Sequence, residues 1–382
     1  MRLVTNTYGT GPTGGVEMNV YQISQQLARR GHSVNLLYVS PGSLLPEYRT
    51  FCDHVTRVPQ VDYGYPSGRR GRLRESLRIV PATLETARRR PDVIYSNRIY
   101  SCAWAIPASR LTGAPIVCHL HGHDIQPEAR LARLEQQVAR FVAVSQFVAD
   151  GWISNGMDPT RIEVVHNGVD PDMYPPANPR QRAEARQTLG LPPDVPVALY
   201  YGRLDPDKGV DVLLRAWAAA GLPPEHARLL VVGSPMLDAG SDYTRLLRSL
   251  ATPSVAFLPN RSDVLTPLHA ADVTVLPSVV EESFGRTLIE SMAAGIPAIG
   301  SRIGGIPEVL GPLEHLLFDP GDVDRLADIL ASTLTWRSDD PGLGPICAQR
   351  ALDHFTLAAT VTHLETVLNE VSEGAGRRLT RS

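Results

Sequence analysis

An α/β architecture of two doubly wound, parallel-sheet domains is the fold this sequence predicts. Three observations predict it. Short apolar runs alternate with stretches of helical periodicity, the pattern of parallel sheets covered on both faces. The chain has 382 residues, too many for one ordinary hydrophobic core. The alternation also stops in a proline-rich stretch near the middle and then begins again.

Taken in order, residues 2–7, RLVTNT, read as a short buried strand and lead into the glycine-rich YGTGPTGG. Val16, Val20, Ile23 and Leu27 then recur at helical spacing, and Gly31 stands where a C-terminal cap belongs. SVNLLYVS, DVIYSN, APIVCHLHG, RFVAVS and IEVVHNG read as further strands. Residues 170–196 are rich in proline and short of large apolar side chains, and read as a linker enclosing one short helix. VALYYGRL, ARLLVVGS, SVAFLP, ADVTVLPS and PAIGS restart the alternation as a second sheet. A helical pattern over about 347–371 should pack on the core, and EGAGRRLTRS reads as a disordered tail. The predicted division is a Rossmann-like domain over 1–175, a second over 190–350, a C-terminal helix over 351–372 and a tail over 373–382. Open parallel sheets bind ligands outside the carboxyl ends of their strands, so a cleft between the two domains is the expected site.

Composition narrows the class. Hydrophobic content of 43% and charged content of 20% are those of a soluble globular protein. A net charge of −3 gives no reason to expect a nucleic-acid partner. The four cysteines, Cys52, Cys102, Cys118 and Cys347, lack metal-ligand spacing and suit a reducing, cytoplasmic compartment. MRLVTNTYGTG has no apolar core of signal-peptide length, and no run approaches the ~20 apolar residues of a membrane span.

GTGPTG, after a strand and before a helix, fits the G-x-G-x-x-G pattern of dinucleotide-binding oxidoreductases. That chemistry needs an acidic residue at the end of the next strand for a ribose hydroxyl, and NLLYVSPG has none. What survives is general: Gly14 and Gly15 let backbone N–H groups at a helix start approach an anion, with a tight turn as the plainer alternative.

GRLDPDKG carries Lys208, the only lysine among 37 basic residues. Where arginine has replaced lysine everywhere else, a surviving ammonium points to a position that guanidinium cannot serve. Arg203 and Lys208, on one Gly-bounded loop, can converge on a diphosphate, the first through bidentate contact and the second as a compact charge. EESFGRTLIESMAAGIPAIGS places Glu282 on a loop after a strand and Glu290 on the following helix, with Gly285 allowing close approach. Carboxylates accept hydrogen bonds from hydroxyl pairs, which suits a sugar and a ribose; Glu281 reads as a solvated acid. In SRIGGIPEVL, Gly304 and Gly305 permit another close backbone approach.

Taken together, GRLDPDKG, the Glu–seven–Glu spacing of ESFGRTLIE, GIPAIGSRIGGIPE, and the earlier GGVE, VSQFV and VVHNGVD resemble glycosyltransferase family 4 over essentially the whole chain. The resemblance implies retaining transferases of the GT-B fold, two Rossmann-like domains facing across a cleft, the first for the acceptor and the second for a nucleotide sugar. Carried over residue by residue, Arg203 and Lys208 would hold the diphosphate, Glu282 the donor sugar's hydroxyls and Glu290 the ribose. Ser283, Phe284, Gly285 and Arg286 would line the donor, and Gly14 and Gly15 would offer backbone to its phosphate. His121 matches a donor-contacting histidine, making His121, Arg203, Lys208 and Glu282 the expected catalytic set. Ser234 stands where a glycine or acid is common, so base contacts rest on Arg261 in LPNRSD.

His119, His121, His123 and Asp124 could suggest a metal site; the resemblance favours none, and implies no cofactor beyond the nucleotide sugar as co-substrate. Asn97, Tyr100, His121 and Asp124 are candidates to line the acceptor pocket, with Arg98 beside them. The arginine-rich stretch over 69–90 reads first as ordinary surface charge and second as a contact with an anionic membrane or a phosphorylated lipid. The enzyme is accordingly expected in the cytoplasm, with peripheral attachment at the inner membrane face as a further reading. The expected reaction moves a sugar from a UDP-sugar, or next a GDP-sugar, to a hydroxyl of a sugar, natural-product or lipid-linked acceptor. No carboxylate pair stands out as a hydrolase's nucleophile and acid. A nucleotide-sugar epimerase, or a non-catalytic binder of sugar nucleotides on the same scaffold, are the alternatives.

Overall fold

A computed structural model describes every residue except Thr13, 63–67, 123–134, 235–241 and 380–382. The chain divides into two compact units, Met1–Asn167 with Leu357–Ser382, and Gly168–Thr356.

The first unit runs β1 (Arg2–Gly9), α1 (Gly15–Arg29), β2 (Ser33–Ser40), α2 (Leu45–Phe51), β3 (His54–Arg57), α3 (Gly68–Arg89), β4 (Val93–Ser96), α4 (Cys102–Thr112), β5 (Ile116–Leu120), β6 (Arg140–Ala143), α5 (Gln146–Ser154) and β7 (Ile162–Val164). Its sheet has the order β3-β2-β1-β4-β5-β6-β7, every pair parallel. Strand order reverses at β1 and β4, the switch point where loops of a doubly wound sheet part and leave room for a ligand. β3 was not expected: HVTR is half-exposed on the sheet edge, so it lacks the apolar run that reveals a central strand.

The second unit runs α6 (Pro179–Thr188), β8 (Val197–Tyr201), α7 (Val210–Ala219), β9 (Arg228–Val232), α8 (Asp242–Leu250), β10 (Val255–Leu258), α9 (Leu265–Ala270), β11 (Val273–Leu276), α10 (Arg286–Ala293), β12 (Ala298–Ser301), α11 (Ile306–Leu310), β13 (Leu317–Phe318), α12 (Val323–Thr333), α13 (Trp336–Asp339) and α14 (Leu343–His354). Its parallel sheet has the order β10-β9-β8-β11-β12-β13. α15 (Leu357–Leu379) then returns to the first unit.

Two expectations about connections are corrected. The stretch 170–196 belongs to the second unit rather than standing apart as a linker. Asp272, buried just before β11, accepts hydrogen bonds from Arg182 at 2.6 Å, Arg186 at 2.8 Å and Arg337 at 2.8 Å, and from the Val197 N–H at 2.9 Å. Removing Asp272 would leave buried Arg186 without its carboxylate, so this network fixes α6 against the start of the sheet. The single C-terminal helix is instead two: the chain breaks at Phe355 and Thr356, where the Val169 N–H donates to the Phe355 carbonyl at 2.8 Å. α15 also continues to Leu379, past the expected end at 372, with no proline to stop it.

α15 completes the first unit's core. Leu357, Val361, Leu364, Val367 and Leu368 are buried with Leu3, Ile23, Leu27, Val93 and Val117. At its edge Arg30 donates to Glu365 at 2.8 Å, and His32 Nε2 lies 2.5 Å from the same carboxylate. Among the described residues no helix is long and apolar enough to cross a membrane.

Candidate functional site

The chemistry-bearing residues of the second unit gather where β8, β9, β11 and β12 end. Gly202 and Gly233 close this edge: a Cβ on Gly233 would fall 1.9 Å from the Gly202 carbonyl oxygen, so only glycine lets the two loops meet. The 202–209 loop then turns through a 3₁₀ segment at Pro206–Lys208 and leaves by Gly209 at φ 62°. A Cβ at Gly209 would lie 2.0 Å from the Pro277 carbonyl. The Val279 N–H donates to the Asp207 carbonyl at 3.0 Å, so the lysine loop and the glutamate loop are seated directly on one another.

That seating brings together two residues 74 positions apart in the chain. Lys208 Nζ lies 2.5 Å from Glu282 Oε1, and Ser278 Oγ donates to the same oxygen at 2.6 Å. Both bonds fall on Oε1, which leaves Oε2 with its acceptor capacity. Arg203, on the same loop, reaches Asp205 at 2.6 Å and Asp207 at 3.3 Å, and remains partly exposed. The Gly304–Gly305 turn sets the height of the Glu282 loop from below. The Gly305 N–H donates to the Glu282 carbonyl at 2.7 Å, and a Cβ at Gly304, with φ 61°, would fall 2.2 Å from that oxygen. The close approach foreseen for these glycines is therefore made to the protein's own backbone.

α10 starts at Gly285, whose φ of 93° turns the chain into the helix. Glu290 is one turn further and buried. It accepts from Arg286 Nε at 2.7 Å and from the Tyr201 hydroxyl at 3.2 Å. Tyr174 joins them; burial first, then the Glu290 charge, pushes its pKa up. Ser283 is half-buried on the loop between these clusters. Phe284 does not line a surface: it is 2% exposed and packs edge-on against Phe355, ring centroids 5.5 Å apart. Arg261, expected near the base, pairs with Asp263 at 3.1 Å. Ser234 Oγ accepts from the neighbouring Asn260 N–H at 3.3 Å, which ties the loops after β9 and β10.

In the first unit, Gly14 caps α1 with extended backbone, and its carbonyl accepts the Met18 N–H at 3.2 Å. Gly15 opens the helix. Glu17 on the first turn lies 3.6 Å from Arg98. Asn97 is buried, donating to Thr5 Oγ1 and to the Asn6 carbonyl, each at 2.8 Å, and with Glu17 and Arg98 it lines a small hollow at this end of the sheet. Tyr100 is half-buried in the turn before α4. His121 follows β5 and stacks on His119 with ring centroids 4.2 Å apart. The Tyr95 hydroxyl lies 2.5 Å from His119 Nδ1. Burial lowers the His119 pKa to about 3 and, with His119 and Arg98 nearby, lowers that of His121 as well. Both imidazoles are neutral at physiological pH. His123 and Asp124 lie outside the described residues. Among those described, no group of three or more His, Cys, Asp or Glu side chains could hold a metal ion.

Ser278, Tyr201 and Tyr174 were missed in the sequence. Their hydroxyls complete the two glutamate clusters, yet in PSVV, ALYY and DMYPP nothing separates them from core or turn residues.

Residues 13–173 match the family model described as Glycosyltransferase Family 4, and residues 181–340 match that described as Glycosyl transferases group 1. The D-inositol 3-phosphate glycosyltransferase of Mycobacterium sp. (strain KMS) is 31% identical over 356 residues, covering 86% of this chain and 79% of the relative. That of Corynebacterium efficiens is 29% identical over 397 residues, 95% and 92% of the two chains. Among solved structures, Anabaena HepE in complex with UDP and glucose aligns with a TM-score of 0.80 at 23% identity, over 97% of this chain and 99% of that one. A glycosyltransferase from Rickettsia africae aligns with a TM-score of 0.83 at 19% identity, over 97% and 98%.

Proposed function

Because the chain belongs to glycosyltransferase family 4 and has the GT-B fold, we propose that this glycosyltransferase moves a sugar from a UDP-sugar to an acceptor hydroxyl with retention of anomeric configuration. The observation that carries the reading is the convergence of Lys208, Ser278 and Glu282 at the sheet edge, with Arg203 on the adjoining loop. As the glycosidic bond breaks, negative charge grows on the leaving diphosphate, and a fixed ammonium and guanidinium stabilise it without reorganising. Glu282 Oε2 accepts from hydroxyls of the donor sugar while Oε1 stays on Lys208. Glu290 accepts from the ribose; a carboxylate has about four lone-pair sites, so Arg286 and Tyr201 leave capacity. His121, being neutral, offers a hydrogen bond without adding charge where positive character develops on the sugar ring. A donor phosphate oxygen takes the acceptor's proton on the same face, so no covalent glycosyl-enzyme forms.

The acceptor is a sugar, natural-product or lipid-linked hydroxyl, handled by the first unit in the cytoplasm. Two relatives named for D-inositol 3-phosphate make that phosphorylated polyol the first acceptor to offer.

Thermal stabilisation by UDP, GDP, dTDP and ADP, with Lys208→Ala alongside, tests the donor reading. A nucleotide at 100 times its dissociation constant stabilises by about 2.7 kcal/mol. UDP should stabilise the natural chain, and the variant should lose most of the response. A flat response to all four would sink the diphosphate assignment. NMR of the product anomer then checks retention.

A further inference from the structure

α3 carries a face that the proposed transfer does not use. Leu73, Leu77, Val80 and Leu84 on it are 62%, 62%, 41% and 58% exposed. At the α-helical advance per residue these four fall within ~60° of arc. Arg70, Arg74 and Arg78, at i, i+4 and i+8, form a row beside them. Leu73 and Leu77, the three arginines, Pro59 and Pro81 border a hollow of about 440 Å³ along the helix.

Both carboxylates of the helix are engaged, Glu75 with Gln60 and, at 3.9 Å, Arg78, and Glu85 with Arg89 and Thr56. Among the described residues no ion pair holds Arg70 or Arg74. The opposite face, through Ala82, Thr83 and Thr86, is buried, and Thr83 donates to the Trp104 carbonyl of α4. The helix is thus anchored from behind and presents leucines and arginines outward.

We propose that α3 docks the enzyme on an anionic phospholipid surface, the arginine row contacting headgroup phosphates and Leu73, Leu77, Val80 and Leu84 entering the acyl boundary. An exposed apolar row flanked by cations is the pattern of a helix lying in the membrane interface. A second copy of the chain fits the face poorly: apposing two such helices brings together the Arg70 and Arg74 charges, which no ion pair among the described residues offsets. An anionic bilayer supplies both the apolar layer and the opposite charge.

The test is co-sedimentation of the full chain with phosphatidylcholine vesicles, with and without phosphatidylglycerol. Binding should require the anionic lipid and weaken with salt. Arg70→Ala and Arg74→Ala should each weaken it about fivefold, and Leu73→Ala with Leu77→Ala should weaken it further at unchanged circular dichroism. No nucleotide or acceptor is present, so the outcome is independent of the donor reading, and an unchanged melting curve shows that the variants are folded. Absence of binding, binding indifferent to lipid charge, or variants that bind like the natural chain would overturn the proposal. So would a dimer that the leucine changes dissolve, which would assign the face to a second copy.

Discussion

Lys208 is where composition and geometry meet. Its ammonium reaches Glu282 Oε1 from a loop whose next residue, Gly209, has no room for a side chain. A point charge on a flexible stem fits there, whereas a planar guanidinium needs width on both sides. Lys208→Arg should therefore keep the fold and lose about 10²–10³ in kcat, comparable to removing one preorganised electrostatic donor. Steady-state kinetics decide it, and turnover equal to the natural enzyme's would refute the steric account. Gly304 supports the same carboxylate from below. Gly304→Ala would pay about 1–2 kcal/mol for left-handed backbone alone and must also push away the Glu282 carbonyl. A lower melting temperature together with lower kcat is expected; a loss of stability with kcat unchanged would show that Glu282 holds its place without this turn. At this scale the charged residues were legible because a lone lysine, spaced glutamates and paired glycines are visible in one dimension. The hydroxyls of Ser278, Tyr201 and Tyr174 were not, since their roles come from side chains that meet only through the sheet.

Among the elements, α15 shows how an edge contact conditions docking. Hydrogen bonds from His32 and then Arg30 hold the Glu365 carboxyl below its ordinary pKa. A depressed carboxylate contributes stability above its unfolded pKa, about 4.3, and loses that contribution as pH falls through the folded value. Glu365→Gln should accordingly be less stable than the natural chain at neutral pH, and the difference should close in acid below about pH 4. Melting curves across that range check it; a gap that stays constant would mean the carboxylate's charge contributes nothing. The strands of both sheets were legible in the sequence wherever they are central, since burial on both faces writes them as apolar runs. β3 and β13 were not: the first is polar and half-exposed, the second only Leu317–Phe318. The 170–196 segment misled because its anchors are arginines rather than apolar side chains: Arg182 and Arg186 are bound by Asp272, some ninety residues later. Proline content records a stiff path, and says nothing about what the path is tied to.

For the whole molecule, sequence order and structural membership part company at Leu357. The chain finishes the second unit at Thr356 and then crosses back to complete the first. Leu357, Val361, Leu364, Val367 and Leu368 are buried in the first unit's core, each contributing roughly 1.5–3 kcal/mol by leaving water. Their sum is comparable with the whole stability of an ordinary domain, about 5–15 kcal/mol. The second unit holds Lys208, Glu282 and Glu290. A chain ending at Thr356 should therefore lose the first unit's cooperative unfolding transition while its second unit still melts cooperatively and is still stabilised by UDP. Transfer to any acceptor should vanish with the first unit. Calorimetry with and without the nucleotide separates the cases. Two intact transitions in the truncated chain would show that α15 is dispensable to the core it fills. Loss of both would show that the second unit depends on the first for its fold, and the donor site could then not be regarded as self-contained.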